Sequence, residues 1–121
     1  MDRVVEAAQL AAIHDEIWAM PMRYETLVGD MGSSLSGGQK ARVMVARALY
    51  RKPRVLLVDE GSAHLDLTTE RILNDGLAGL GITRVIVAHR PETVRLADRV
   101  FNLEDGVLSA GFAFEPAETR A

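Results

Sequence analysis

Two short aliphatic blocks with a helix-length stretch between them constrain this chain more than any other feature. Val55–Val58 is bounded by Pro53 and the acidic pair Asp59-Glu60, and Val85–Ala88 runs straight into His89. Each reads as a strand buried on both faces. Between them Leu73, Leu77 and Leu80 share one side of a helix that Asp66 can cap and Gly81 can end. Pro91 then suits the first turn of a short helix to Ala97, and Arg99–Leu103 and Val107–Ala110 flank Glu104-Asp105-Gly106 as a hairpin. Strand, helix, strand, helix, strand in that order implies an α/β fold with at least two parallel strands.

The part before Pro53 is helical. Leu10, Ile13, Ile17 and Met20 recur at three- and four-residue spacings, which predicts one continuous helix face ended by Pro21. Residues 21–35 hold two glycines, two serines and a proline and read as a loop. A second helix is expected from Ser36 to about Arg51, with Val43, Ala46 and Tyr50 inward. Trp18, Met20, Met22 and Met31 are expected to be packing residues, and residues 113–121 a frayed tail.

Composition narrows the function. The chain has 121 residues, 48% of them apolar and 26% charged, a globular mixture in which one domain or a piece of one is expected. The net charge of -3 argues against binding to a nucleic-acid backbone. No cysteine is present, so disulfides, thiolate metal sites and cysteine nucleophiles are excluded. The longest purely aliphatic run, Val55–Val58, falls far short of the ~20 residues of a membrane helix.

Three places can carry chemistry. Leu35-Ser36-Gly37-Gly38-Gln39 opens a helix after a loop, and glycines there leave backbone N–H groups uncovered at the positive end of the helix dipole. That is an anion site with the Ser36 hydroxyl as an added donor. Ser36 and Gln39 also fit a capping box, and the two roles can coexist. Asp59 and Glu60 follow a buried strand, where one acid can hold a magnesium ion and the other orient a water towards a phosphoryl group; they equally fit two solvated acids. His89 follows the second strand and can bond a terminal phosphate oxygen or the attacking water, or be merely structural.

In this order, the three features resemble the ATP-binding cassette (ABC) ATPases over nearly the whole chain. Leu35–Gln39 matches the family's signature letter for letter, Ala46-Arg47-Ala48-Leu49 follows as in the family, and Asp59-Glu60 matches the Walker B end. Gly61–Asp66 is similar to the D-loop region, usually Ala-Thr-Ser-Ala-Leu-Asp, and His89 matches the switch histidine. Thr26-Leu27-Val28-Gly29-Asp30-Met31-Gly32 resembles the exporter-type Thr-Glu-Val-Gly-Glu-Arg-Gly loop. Ile-His-Asp-Glu-Ile at 13–17, with Tyr24-Glu25-Thr26, is similar to peptidase-containing bacteriocin exporters of the colicin V type. Departures fall at Leu27, Met31, Ala41 and Gly61-Ser62-Ala63.

The resemblance implies a partial P-loop NTPase (RecA-like) core with a remnant of the ABC helical subdomain. Residues 1–50 would be the helical remnant, 51–112 the carboxyl-terminal part of the core and 113–121 the tail. It implies ATP and Mg²⁺ as cofactors, with Glu60 polarising water, Asp59 serving Mg²⁺ and His89 sensing the γ-phosphate. Leu35, Ser36, Gly37, Gly38 and Gln39 would contact ATP held by a second nucleotide-binding domain, with Asp66 at the dimer contact. Residues 26–32 would touch an exporter's transmembrane domain from the cytoplasmic side. No Gly-x-x-x-x-Gly-Lys-Ser/Thr occurs in the sequence, so the expectation is the carboxyl-terminal half of such a domain, inactive by itself. The family's phosphate-loop strand would lie between the His89 strand and the Arg99–Leu103 strand, so marginal stability is expected too. Against the exporter-ATPase reading stand a non-catalytic module that lends its signature face to a complete domain, and a decayed gene remnant.

Overall fold

The computed structural model describes residues 1–59 and 67–111. Glu60, Asp66 and the segment between them lie outside the described residues, as do residues 112–121. The chain divides into two compact units, Met1–Ile86 and Val87–Ala121.

In the first unit, helix α1 (Asp2–Leu10) is followed by α2 (His14–Ala19), short 3₁₀ turns at Arg23–Glu25 and Asp30–Gly32, and the long helix α3 (Gly37–Tyr50). Strand β1 (Val55–Asp59), helix α4 (Leu67–Ala78) and strand β2 (Thr83–Val87) complete the order, the boundary of the unit falling at the last residue of β2. Helix α1 is the hub: α2, α3 and α4 all pack on it. The core is Ala7, Ala8, Ala11, Ile13, Leu49, Leu56, Leu73 and Leu77. Three alanines at the hub let the helix axes approach closely, and Leu49, Leu73 and Leu77 fill the space between them.

β1 and β2 are neighbours in a two-stranded sheet. The Thr83 N–H donates to the Arg54 carbonyl at 3.1 Å, so the two strands begin side by side and run parallel, with α4 as the crossover. The expected burial on both faces is not found. Leu56 is buried and Val58 half-buried, but Val55 and Leu57 are 54% and 75% exposed, and Val85 and Val87 about as much as Val55. The sheet has one covered face and one open one.

The expected continuous first helix is instead two helices, and the break has a clear cause. The Ile13 N–H reaches back to the Ala8 carbonyl (2.9 Å) and the Ala12 N–H to the Gln9 carbonyl (3.1 Å), while Ala12 takes φ +58°. These are the bonds of a Schellman stop, with alanine where glycine is usual. Ile13 thus leaves the helix face and becomes the most deeply buried large side chain, 1% exposed. α2 ends before Pro21 with Met20 extended, the conformation a following proline imposes.

α3 agrees closely with the expected helix, but its inward face differs. Leu49 is buried and Val45, Ala46 and Ala48 pack against the core, whereas Val43 and Tyr50 are exposed. The Arg3 guanidinium covers the Tyr50 ring and donates to the Tyr50 carbonyl (2.9 Å), holding that side chain outside. Trp18, Met22 and Met31 are also exposed rather than packed in the core. In α4, Leu73 and Leu77 face inward as expected, while Leu80 is exposed beyond the helix end.

The second unit holds the short helix α5 (Pro91–Arg95) and the antiparallel strands β3 (Phe101–Glu104) and β4 (Val107–Ala110). Phe101 pairs with Ala110 and Glu104 with Val107. Asp105 and Gly106 both have positive φ, the two-residue turn whose twist suits a hairpin. Among the described residues no helix is long and apolar enough to cross a membrane.

Candidate functional site

The best-defined site lies at the start of α3. Ser36 is its N-cap: the Gln39 N–H donates to Ser36 Oγ (3.1 Å), and the Ser36 N–H donates to Gln39 Oε1 (3.0 Å). Both bonds of the capping box are therefore made. The N–H groups of Gly37 and Gly38 remain, since no helical carbonyl lies ahead of them. Ser36 Oγ accepts in the box, which leaves its own hydrogen to donate elsewhere. The first turn carries no acidic residue, so nothing in it opposes the dipole. Ser36 and Gly37 are exposed, and Leu35, Gly38 and Gln39 half-buried. An anion meeting this turn finds two backbone donors and a hydroxyl.

A side-chain network behind the turn ties it to α2. Gln39 Nε2 donates to Glu16 Oε1 (3.4 Å), and Arg42 makes an ion pair with Glu16 Oε2. Arg42 also donates from Nη1 to the Ala12 carbonyl (2.9 Å) and from Nε to the Gly38 carbonyl (3.2 Å). Sequence reasoning missed Glu16 and Arg42. Nothing local marks them, because their partners stand about two dozen positions apart in the chain; only the three-residue step from Gln39 to Arg42 along one helix face was available.

Asp59 is the last residue of β1 and is exposed. Parallel pairing places it at the carboxyl edge of the sheet, where α/β folds bind ligands. Among the described residues no group of three metal-ligating side chains occurs. A single carboxylate still fits Mg²⁺, which keeps several waters and leans on substrate phosphates. His89 lies in the second unit, two residues beyond β2, and is exposed. Glu60 and Asp66 lie outside the described residues. The structure thus assembles Leu35–Gln39 into one local site and sets Asp59 at a strand end.

The loop of residues 26–32 carries an exposed apolar surface: Leu27 is 85% and Met31 96% exposed. Its shape depends on Gly29, whose φ of 71° and ψ of -179° suit glycine alone. A Cβ there would stand 2.5 Å from Ser33 Oγ. At the loop's entry the Tyr24 hydroxyl and His14 Nδ1 share a 2.7 Å hydrogen bond, and the His14 ring also contacts the Tyr24 and Trp18 rings. Burial pushes the Tyr24 phenol above its ordinary pKa.

A parallel strand–helix–strand unit and a glycine-opened, serine-capped helix together define an α/β protein with uncovered backbone donors at a helix start. The chain belongs to the ABC transporter family, whose sequence model matches residues 3–63. It is 51% identical over 100 residues to the colicin V secretion/processing ATP-binding protein CvaB of Escherichia coli. It is 50% identical over 100 residues to a probable microcin secretion/processing ATP-binding protein of the same organism. Each match covers 83% of this chain, and the chain spans only 14% of the length of either relative. Among solved structures, a bacterial Atm1-family ABC exporter with ATP bound superposes with a TM-score of 0.82 at 38% identity, covering 87% of this chain and 19% of that one. The fold is therefore part of the P-loop NTPase architecture of an ABC exporter's ATP-binding domain, as the sequence implied.

Proposed function

We propose that this chain is part of the ATP-binding component of an ABC exporter and contributes the face that closes over a nucleotide held by a second such domain. The observation that carries the reading is the start of α3, where the N–H groups of exposed Gly37 and half-buried Gly38 and the unused hydrogen of exposed Ser36 stand together. Three donors at a helix N-terminus suit a terminal phosphate. Asp59 serves as the single carboxylate for Mg²⁺, Glu60 as the group that orients the attacking water, and His89 as the γ-phosphate sensor. Asp66 belongs to the contact between the two domains. Bound Mg²⁺-ATP supplies the phosphoanhydride and the charge neutralisation that its hydrolysis requires.

Residues 26–32 serve as the contact to a transmembrane partner, on the cytoplasmic side; their exposed Leu27 and Met31 suit an apolar docking surface. The cargo is a peptide, the reading supported by similarity to the two secretion/processing proteins. Without a phosphate-cradling loop in its own sequence, the chain alone does not turn over ATP.

The test is a titration of ¹⁵N-labelled chain with Mg²⁺-ATP. Amide shifts concentrated at Ser36–Gln39 and lost on Ser36→Arg are expected, with no phosphate released. Release of phosphate by the wild-type chain, abolished by Glu60→Gln, would show that it acts alone; shifts spread evenly over the surface would remove the signature face from the reading.

A further inference from the structure

We infer that Glu16, on α2, is a positioning residue that sets the geometry of the donor turn at the start of α3. What that turn holds rests on the function proposed above. Each oxygen of the Glu16 carboxylate has its own partner. Oε1 accepts from Gln39 Nε2 and Oε2 pairs with Arg42. A carboxylate only accepts, so it selects the NH₂ end of the Gln39 amide. The opposite end, Oε1, is thereby turned towards the Ser36 N–H, which it binds at 3.0 Å. Were the amide reversed, an NH₂ group would face an N–H, the capping box would open and the Ser36 hydroxyl would lose its fixed place.

The other arm acts on the backbone. Arg42 is held by Glu16 and by the Ala12 carbonyl, and its Nε donates to the Gly38 carbonyl. That carbonyl shares its peptide plane with the Gln39 N–H that donates to Ser36 Oγ, so Arg42 steadies the capped plane next to the two glycine donors. Glycines have no side chain to do this themselves, and a turn opened by two of them is otherwise the loosest part of the helix. The Arg42 side chain is only 13% exposed, while Glu16 is 42% exposed, so the pair is shielded on its Arg42 side and open to solvent on the other.

The ion pair has a second consequence. Glu16 is an anion behind a site for an anion, and Arg42 neutralises it. Charge and geometry therefore make opposite predictions for Glu16→Gln. If Glu16 matters only through its charge, the substitution removes a repulsion and leaves Arg42 free to attract phosphate, and Mg²⁺-ATP binds more tightly. If Glu16 positions, the substitution presents an NH₂ group or a weaker acceptor to Gln39 and Arg42, and binding weakens.

The experiment uses the full ¹⁵N-labelled chain, its Glu16→Gln and Glu16→Asp variants, and Mg²⁺-ATP as probe, with far-UV circular dichroism as the folding control. Glu16→Asp keeps the charge but shortens the reach. Without nucleotide, both variants are expected to keep their helix content, to displace the Gly37, Gly38 and Gln39 amides and to shift the Arg42 Nε–H signal. With nucleotide, both are expected to bind several-fold more weakly than wild type. Unmoved amides, or tighter binding by Glu16→Gln, overturn the inference. A wild-type chain in which nucleotide leaves Ser36–Gln39 unchanged, while Glu16→Gln still displaces those amides, upholds the positioning role and sinks the nucleotide reading alone.

Discussion

Tyr24 shows how much a single side chain fastens. Its hydroxyl shares a hydrogen bond with His14 at the first residue of α2, and its ring packs against the core from the entry of the 26–32 loop. Burial disfavours the charged phenolate, so the folded chain holds this proton more tightly than the unfolded one. The contribution is complete below the unfolded value of about 10 and is lost as pH rises from there through the higher folded value. Melting temperatures measured across that range are expected to fall more steeply for wild type than for Tyr24→Phe, which has no proton to lose; parallel curves would show that the phenol titrates freely. Ser36 makes a similar point for the site. The sequence allowed it to be a cap or a phosphate donor, and the geometry shows one oxygen accepting for the cap while its hydrogen stays available.

At the scale of elements, legibility followed local chemistry. The start of α3 was legible because Ser36 and Gln39 stand at capping-box spacing, and the β3–β4 hairpin because of Glu104-Asp105-Gly106, although Glu104 pairs with Val107 in β3 and only Asp105-Gly106 make the turn. The break between α1 and α2 was not, since Ala11-Ala12-Ile13 carries no glycine or proline and continues the helical spacing. Tertiary packing decided it: swinging Ile13 into the core outweighed the left-handed strain at Ala12. Glu16 and Arg42 were illegible for the same reason, that their pairing is made by the fold and not by spacing. The strain at Ala12 is open to test. Ala12→Gly relieves an unfavourable φ of +58° and keeps the carbonyl that Arg42 binds. It is expected to stabilise the chain by up to about 1 kcal/mol, the gain from relieved strain being partly offset by the greater freedom of glycine when unfolded. A loss of stability in urea titration would mean that Ala12 contributes packing beyond its backbone.

For the whole molecule the open face of the sheet is the governing fact. Alternation sets Val55 and Leu57 on one face of β1 and Val85 and Val87 on one face of β2, all at least half exposed, while Leu56 and Val58 turn to the core. The sequence read these blocks as buried on both sides because an unbroken aliphatic run normally means that. A run of such residues facing water favours association, since each aliphatic side chain removed from solvent contributes ~1.5–3 kcal/mol. Leu57, at 75% exposed, contributes little to the fold of the isolated chain and much to any face-to-face contact. Leu57→Glu is therefore expected to leave the urea midpoint nearly unchanged while shifting sedimentation profiles towards monomer. Substituting the buried neighbour, Leu56→Ala, should do the reverse, costing ~2–5 kcal/mol of stability without improving solubility. A wild-type chain that sediments as a monomer and melts in one sharp transition would show that this face tolerates water; it would also free the surface to be studied as a docking site in its own right.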